Sequence, residues 1–459
     1  MPNSAYSVGW RTTVYIEAQA ALKTIANNEP TAADAFRVIS FNIDAKSPIG
    51  ARQDAHGTAG RLGQIAQHKT VTGSIDFYAT GGGAGGTAPD WAVLLTSGGW
   101  TASATAGSAT TVDTGSSTTT TIDVASTTSW AVGDALMVEN QIRRITTVNA
   151  GTSMVVTPAL SAAPANAATV SPAIVYTPND NRAASQAAAT IWAYDNRRAD
   201  RIIGAVITSI AITAAGSDEV RMTAEFTAYR ADALHSTLLS GAINNSTTSV
   251  VVDSGLIVPQ DVSATSPVYF QCESEVFEVV GASGNTLTVS ARGVYQGGGA
   301  AATHADNLEF YPWEPTATYV TAAPITRTGG DLIVNGVSLQ HGSASLSVDL
   351  GVRFTEASHG QTQAIDHYTL NRRETTVQGA GAAEYSKMNV RAMEAAERTS
   401  VPVLVQGGTA AGSTIGWECP DVVFENPSIS RARDDEVTID LSGPAHETTG
   451  GDDVYIMVG

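Results

Sequence analysis

Lysine is almost missing from this chain. It occurs four times in 459 residues, as Lys23, Lys46, Lys69 and Lys387, so arginine supplies most of the positive charge. With 25 basic against 44 acidic residues, the formal net charge is −19. Nucleic-acid binders displace counterions from phosphates with a basic stripe, and this composition offers none. An acidic wall repels phosphate, which suits a surface that nucleic acid must pass without sticking; the plainer consequence of the charge is solubility. Aromatic residues make up 6% and do not interleave with basic ones, so no stacking platform for single strands is visible. The two cysteines, Cys272 and Cys419, lack a CxxC partner or a nearby ligand histidine. That excludes a disulfide scaffold, argues against a zinc or redox site, and fits a reducing folding compartment. No apolar run approaches the ~20 residues of a helical membrane span, and residues 1–10 lack the basic and apolar regions of a signal peptide.

What is abundant is small or β-branched. Gly (43), Ala, Ser and Thr dominate without long helical periodicity, which predicts many short strands joined by Gly-rich turns. The length predicts two to four domains. Period-two alternation predicts strands over 36–45, 71–79, 186–194, 201–213 and 220–229. Short helices are expected over 18–26, ended by Glu29-Pro30, and over 89–95, with Thr87 as cap. Two segments of different character, 108–172 (with Trp130) and 240–315, read as small β modules. The first larger domain is then 1–107 plus 173–235, and the second is 318–459. In the latter, 331–339 and 344–354 read as a hairpin, 383–398 as the best helix of the chain, and 401–405, 414–418, 422–429 and 437–441 as strands. Residues 46–69 and 355–373 follow neither strand nor helix pattern and are expected to be long polar loops that serve a partner.

One β unit is written twice. Ile203-Gly204 opens an alternating run that reaches Asp218-Glu219-Val220 and then 221–229. Ile415-Gly416 opens a similar run that reaches Asp435-Glu436-Val437 and then 438–442, five residues longer between landmarks. A hairpin loop absorbs that difference at little entropic cost. Strand, long polar loop, strand, helix, strand and hairpin recur in this order in both halves. A duplicated β unit is a building block, and building blocks assemble.

Catalytic motifs are wanting. Gly81, Gly83 and Gly86 satisfy GxGxxG, but no parallel βαβ unit surrounds them and the stretch reads as a flexible loop. No Walker A, GxSxG, HExxH or EF-hand pattern occurs. His446-Glu447 lacks a second histidine. Asp434-Asp435-Glu436 and Asp452-Asp453 have oxygen ligands for a divalent cation but read as solvated turns. No enzyme activity, cofactor or metal is expected.

Three stretches resemble the major tail tube protein of long non-contractile-tailed bacteriophages. The first is Val71-Thr72-Gly73-Ser74-Ile75, with Ala88-Pro89, Trp91 to Leu95 and Gly98-Gly99. The second runs from Ile203-Gly204-Ala205-Val206 to Phe226-Thr227-Ala228-Tyr229. The third runs from Gly407-Gly408-Thr409 to Pro427 and continues over 435–442. Ala291-Arg292-Gly293-Val294-Tyr295, Gly297-Gly298-Gly299 and His304 are similar to a small β module of phage structural proteins, in which the Arg-Gly turn and the histidine pack the module's end. The resemblance implies a mainly β chain: two β-sandwich or barrel tube domains, each with a flanking short helix, plus two small inserted modules projecting outward. It implies rings that stack into a virion tail tube, assembled in the host cytoplasm. A duplicated chain would form trimeric pseudo-hexameric rings, the alternative being hexamers. The implied partners are the chain itself, a tape measure protein and the tail terminator and distal tail proteins, with DNA passing through unbound and no membrane involved. Arg52, His56, Arg61 and His68 on one long loop, and His359, His367, Arg372 and Arg373 on the other, are the expected inter-subunit or inter-ring contacts. Two rival readings stand beside this one. The first is a host- or carbohydrate-binding decoration or baseplate protein, with Trp130 and Trp313 as sugar platforms. The second is a tail-associated hydrolase with paired carboxylates.

Overall fold

The computed structural model describes residues 12–19, 22, 29–46, 49–51, 64–66, 70–103, 107–113, 115–179, 187–195, 197–215, 218–259, 262–293, 300–339, 341–356, 365–382, 400–425, 428–430, 438–448 and 450–459. The chain is mainly β, and every strand ladder between described residues is antiparallel.

The first unit begins with β1 (Thr13–Gln19), β2 (Ala35–Phe36), β3 (Ser40–Lys46), the small hairpin β4 (Ile49–Ala51) and β5 (Gln64–Ala66), then β6 (Thr70–Tyr78), α1 (Ala92–Ser97) and β7 (Trp100–Ala102). Four expectations are corrected. Ala18 and Gln19 close a strand rather than open a helix, because they pair with residues 188–189 of a partner strand; that ladder overrides alanine's helix preference. The expected strand 36–45 is two strands, β2 and β3. The helix starts at Ala92, after an N-cap Trp91 with no side-chain cap. Thr87 takes no part; instead Asp90 Oδ1 accepts from the Trp91 amide at 2.9 Å and from Thr80 Oγ1 at 3.0 Å. The stretch 46–69, read as patternless, contains the β4–β5 pairing.

The first module follows as β8 (Thr110–Thr111), β9 (Thr121–Asp123), β10 (Ala135–Val138), β11 (Gln141–Asn149), β12 (Ser153–Thr157) and β13 (Thr169–Pro178). It has its own apolar cluster around Trp130, Leu136, Ile145 and Met154. The chain then returns to the first sheet with β14 (Ala188–Asp195), β15 (Arg198–Ala215) and β16 (Arg221–Leu234). A second module, β17 (Thr237–Leu238), β18 (Ser249–Val251), β19 (Val268–Cys272), β20 (Glu275–Ser283), β21 (Thr286–Arg292) and β22 (Glu309–Pro312), forms a separate six-stranded sheet. Its core stacks Phe270 on Phe310 with centroids 5.0 Å apart and sets Phe277 edge-on at 5.3 Å.

The second unit comprises β23 (Leu332–Val334), β24 (Val337–Leu339), β25 (His341–Asp349), β26 (Val352–Glu356), β27 (Ile365–Leu370), β28 (Glu374–Ala382), β29 (Val401–Ala410), β30 (Ser413–Val422), β31 (Ser428–Ser430), β32 (Thr438–Ala445) and β33 (Tyr455–Val458). Here β23 and β24 form the hairpin by themselves, and 344–349 belongs to β25, which pairs elsewhere. The stretch 355–373 contains most of the β26–β27 hairpin rather than a bare loop. The expected helix 383–398 and the landmark Asp435-Glu436-Val437 lie outside the described residues.

The two units share one strand order. The first sheet runs β2–β1–β14–β15–β16–β6–β3. The second runs β24–β23–β29–β30/β31–β32/β33–β28–β25, the long β15–β16 hairpin being matched by one interrupted on both strands. In both, a small hairpin (β4–β5 or β26–β27) fills the connection between the edge strand and its neighbour.

Alternation explains the layers. In β16, Met222, Ala224, Phe226 and Ala228 are buried, while Arg221 and Glu225 are exposed. One core cluster runs through both units, from Ile75, Phe77, Leu94 and Ile212 to Leu346, Val377, Trp417 and Ile456. Gly204 marks one sharp irregularity in β15, and the ladder with β16 shifts register again between Ile207 and Ser209. The φ of Gly204 is +68°, and a Cβ there would lie 2.2 Å from the Leu22 carbonyl.

Candidate assembly interface

Antiparallel sheets with one polar face leave two kinds of surface for function, their edges and that face. The edges come first. The far half of β15 extends beyond β14 and pairs with β25 from Ser209↔Asp349 to Ala215↔Ser343. This seam fuses the two sheets edge to edge. Its core-side rungs are Ile210↔Val348, Ile212↔Leu346 and Ala214↔Ala344, none more than 2% exposed. Its other rungs, such as Thr213↔Ser345, lie on the polar face. Among the described residues, β3 is paired on one side only, with β6, and β31 on one side only, with β32. Among the described residues the joined sheets thus end in two edge strands, β3 and β31, each with a neighbour on one side.

The polar face is acidic. Asp44, Asp76, Glu225, Asp349, Glu374 and Asp440 share it, as their ladder partners require. Arg221 is the one basic side chain described there, its guanidinium 5.6 Å from the Tyr78 ring. Asp349 stands directly opposite Glu374. Like charges in that position destabilise a ladder, so their presence marks a surface on which charge matters more than sheet stability.

The modules pack on other parts of the two sheets than the acidic strands. The first module, inserted in the first unit, packs on the second: Ala135, Ile142 and Val175 meet Ile333, Leu404 and Met457. Arg144 makes a two-pronged pair with Glu418 at 2.8 and 3.1 Å, stacked 4.3 Å from the Tyr455 ring. Burial pushes the Glu418 carboxyl up, against the pull of Arg144. Gln406 accepts from the Ile142 amide at 3.0 Å and donates to the Asn140 carbonyl at 2.6 Å. Strands β13 and β33 pair directly. The second module packs on the first unit through Tyr15, Trp192, Tyr194 and Leu234. There Arg201, 1% exposed, binds Asp232 at 3.0 Å and the Pro267 carbonyl at 3.1 Å. Each unit therefore carries one module on the face of its sheet away from the shared core.

Of the expected contact residues, Arg52, His56, Arg61, His68 and His359 lie outside the described residues. His367 falls within β27. Arg372 is exposed just after β27. Arg373 is engaged within the chain: its Nε donates to both Asp453 oxygens at 3.0 Å, and Thr375 Oγ1 donates to the same carboxylate. Arg372 and Arg373 line a polar cleft of about 370 Å³ with Asn371, His446 and Asp453.

The other candidates resolve as follows. Gly83 and Gly86 sit at positive φ in a turn, and among the described residues no parallel strand pair accompanies them. Trp130 is 6% exposed inside the first module, so it is no sugar platform; Trp313 is half-buried, edge-on to Tyr269 at 6.5 Å. Cys272 and Cys419 are free, and burial pushes Cys272 up to about 11 and Cys419 well above its ordinary value, so both thiols are inert. His304, 2% exposed, lies between two carboxylates, Nε2 at 2.7 Å from Glu275 and Nδ1 at 2.9 Å from Glu273, while Arg292 binds Glu275 at 2.7 and 2.9 Å. Among the described residues no group of three or more His, Cys, Asp and Glu side chains is placed to hold a metal, and no helix is long and apolar enough to cross a membrane.

Sequence reading missed the seam altogether. The one available signal was the matched apolar alternation of Ile210, Ile212 and Ala214 with Ala344, Leu346 and Val348. No family model matches the chain, and a search of curated proteins finds no match.

Proposed function

We propose that this chain is a structural virion protein that polymerises as stacked rings into a phage tail tube and forms an acidic-lined conduit for DNA. The observation that carries the reading is the β15–β25 seam. Two sheets of one strand order are already joined edge to edge, and each end of the joined sheets offers another edge strand. Exposed edges of this kind aggregate unless a partner covers them, and ring closure covers all of them at once. With two units per chain, three chains complete a pseudo-sixfold ring. The acidic face lines the bore, where it repels phosphate and lets DNA slide. The modules, packed on other parts of the sheets, project outward. The resemblance of 71–99, 203–229 and 407–442 to tail tube proteins supports the same reading.

Sedimentation velocity of the purified protein tests it. The expected result is a species of three chains and, at higher concentration, pelletable polymers. A chain that stays monomeric at every concentration would sink the proposal.

A further inference from the structure

Resting on the assembly reading above, we infer that β3 of one chain adds antiparallel to β31 of the next in the register of the internal seam, with Ile43 opposite Ile429. The argument needs only the ladders. In the first unit the last rung of the long hairpin is Thr213↔Arg221, closing a connection of seven residues, 214–220. In the second the last rung among the described residues is Ser430↔Thr438, with seven residues, 431–437, between its strands. The equal spacing, with Asp218-Glu219-Val220 directly before Arg221 and Asp435-Glu436-Val437 directly before Thr438, makes the two rungs equivalent and Arg221 the counterpart of Thr438.

Following the ladders outward from that rung fixes the rest. Thr223 pairs with Asp76, and Asp76 with Ser40. The corresponding Asp440 pairs with Ala380, and Ala380 with Ser343. Ser40 thus corresponds to Ser343, Ile43 to Leu346 and Asp44 to Ser347. On the other side, Ala211, Ile212 and Thr213 correspond to Ser428, Ile429 and Ser430.

The internal seam pairs Ser347 with Ala211, Leu346 with Ile212 and Ser345 with Thr213. Carrying this across gives Asp44↔Ser428, Ile43↔Ile429 and Asn42↔Ser430 between chains. The residue types agree with the transfer. The apolar rung Leu346↔Ile212 becomes Ile43↔Ile429, and the flanking rungs stay small or polar. A one-residue slip would set Ile43 against a serine and turn the apolar side of β3 to the polar face. Ile43 and Phe41 are only partly buried where their counterparts Leu346 and Ala344 are fully covered, as expected for a strand still lacking its neighbour. The occupant is therefore a second copy of this chain.

Cysteine cross-linking reads the register in the full-length protein. Directly opposed residues of an antiparallel pair bring Cα atoms within ~4.5–5.5 Å, inside disulfide reach, and the two native thiols are buried. The D44C/S428C variant should oxidise in assembled material to covalent trimers on a non-reducing gel. D44C/S430C, slipped by two residues, should give at least tenfold less product. Rings that form but cross-link only in the slipped pair, or in neither, overturn the register and leave the ring reading standing. A chain that never assembles overturns both.

Discussion

Ile212 stands directly opposite Leu346 across the seam that joins the two sheets, and the two are 0% and 1% exposed. Residues 134 positions apart in sequence thus make one core rung. Leu346→Ala should cost about 2–5 kcal/mol, the usual range for a buried leucine that leaves a cavity. Urea unfolding checks this. A change under about 0.5 kcal/mol would mean the seam is not packed as described.

The Arg144–Glu418 pair ties the inserted module to the second unit. Glu418→Ala leaves a mostly buried guanidinium unpaired, and removal of one partner of such a pair costs about 3–5 kcal/mol. The double change R144M/E418L should recover most of that loss, since it strands no charge. Hydrogen exchange over 141–149 should accelerate in E418A and return toward wild type in the double variant.

Gly204 combines a φ of +68° with the close Leu22 carbonyl. Gly204→Ala should therefore destabilise by about 1–3 kcal/mol, read as a lowered urea midpoint. Gly83 also has a positive φ, +81°, but open space around its Cβ direction. Gly83→Ala should cost less.

The second module should loosen in acid. Burial pushes the Glu275 carboxyl up, but hydrogen bonds from Arg292, the Ala302 amide and His304 outweigh it and hold it below its ordinary value. A carboxylate with a depressed folded pKa adds stability that is complete above the unfolded pKa and lost as pH falls through the folded one. The Phe270–Phe310 core should therefore lose protection below about pH 4, and Glu275→Gln should flatten that dependence. Near-ultraviolet circular dichroism against pH measures it; a wild-type profile in E275Q would contradict the assignment.

Much of this was legible in sequence wherever the pattern was local. The strands around 71–78 and 221–229 announce themselves because one face is buried and the other polar. Trp130 and the apolar runs 135–138 and 142–148 marked a module with its own core. The helix near Pro89 was found but shifted: it starts at Ala92, whose amide donates to the Pro89 carbonyl, and no side chain caps it. Ala18 and Gln19 misled because a ladder with 188–189 settles their conformation, and nothing nearby in sequence reports it. The seam was hidden for the same reason: it joins strands that only the fold brings side by side. The acidic charge was plain from composition, but its concentration on one face, with Asp349 opposite Glu374, emerges only from the register.

That face supports a functional prediction. Reversing its charge with D349K/E374K should make assembled protein retain double-stranded DNA at 50 mM salt and release it by 200 mM, since lysine–phosphate contacts weaken steeply over roughly that range. Wild-type assemblies should retain none. Equal retention by both would remove the acidic face from the account.

The central claim is that one chain is two units of a closed sheet. Cryo-electron microscopy of the purified, concentrated protein tests it most directly. The account predicts stacked rings of three chains, with a continuous inner sheet in which β15–β25 alternates with β3–β31 and with the modules outside. Rings of six chains, or assemblies in which β3 and β31 remain unpaired, would contradict it.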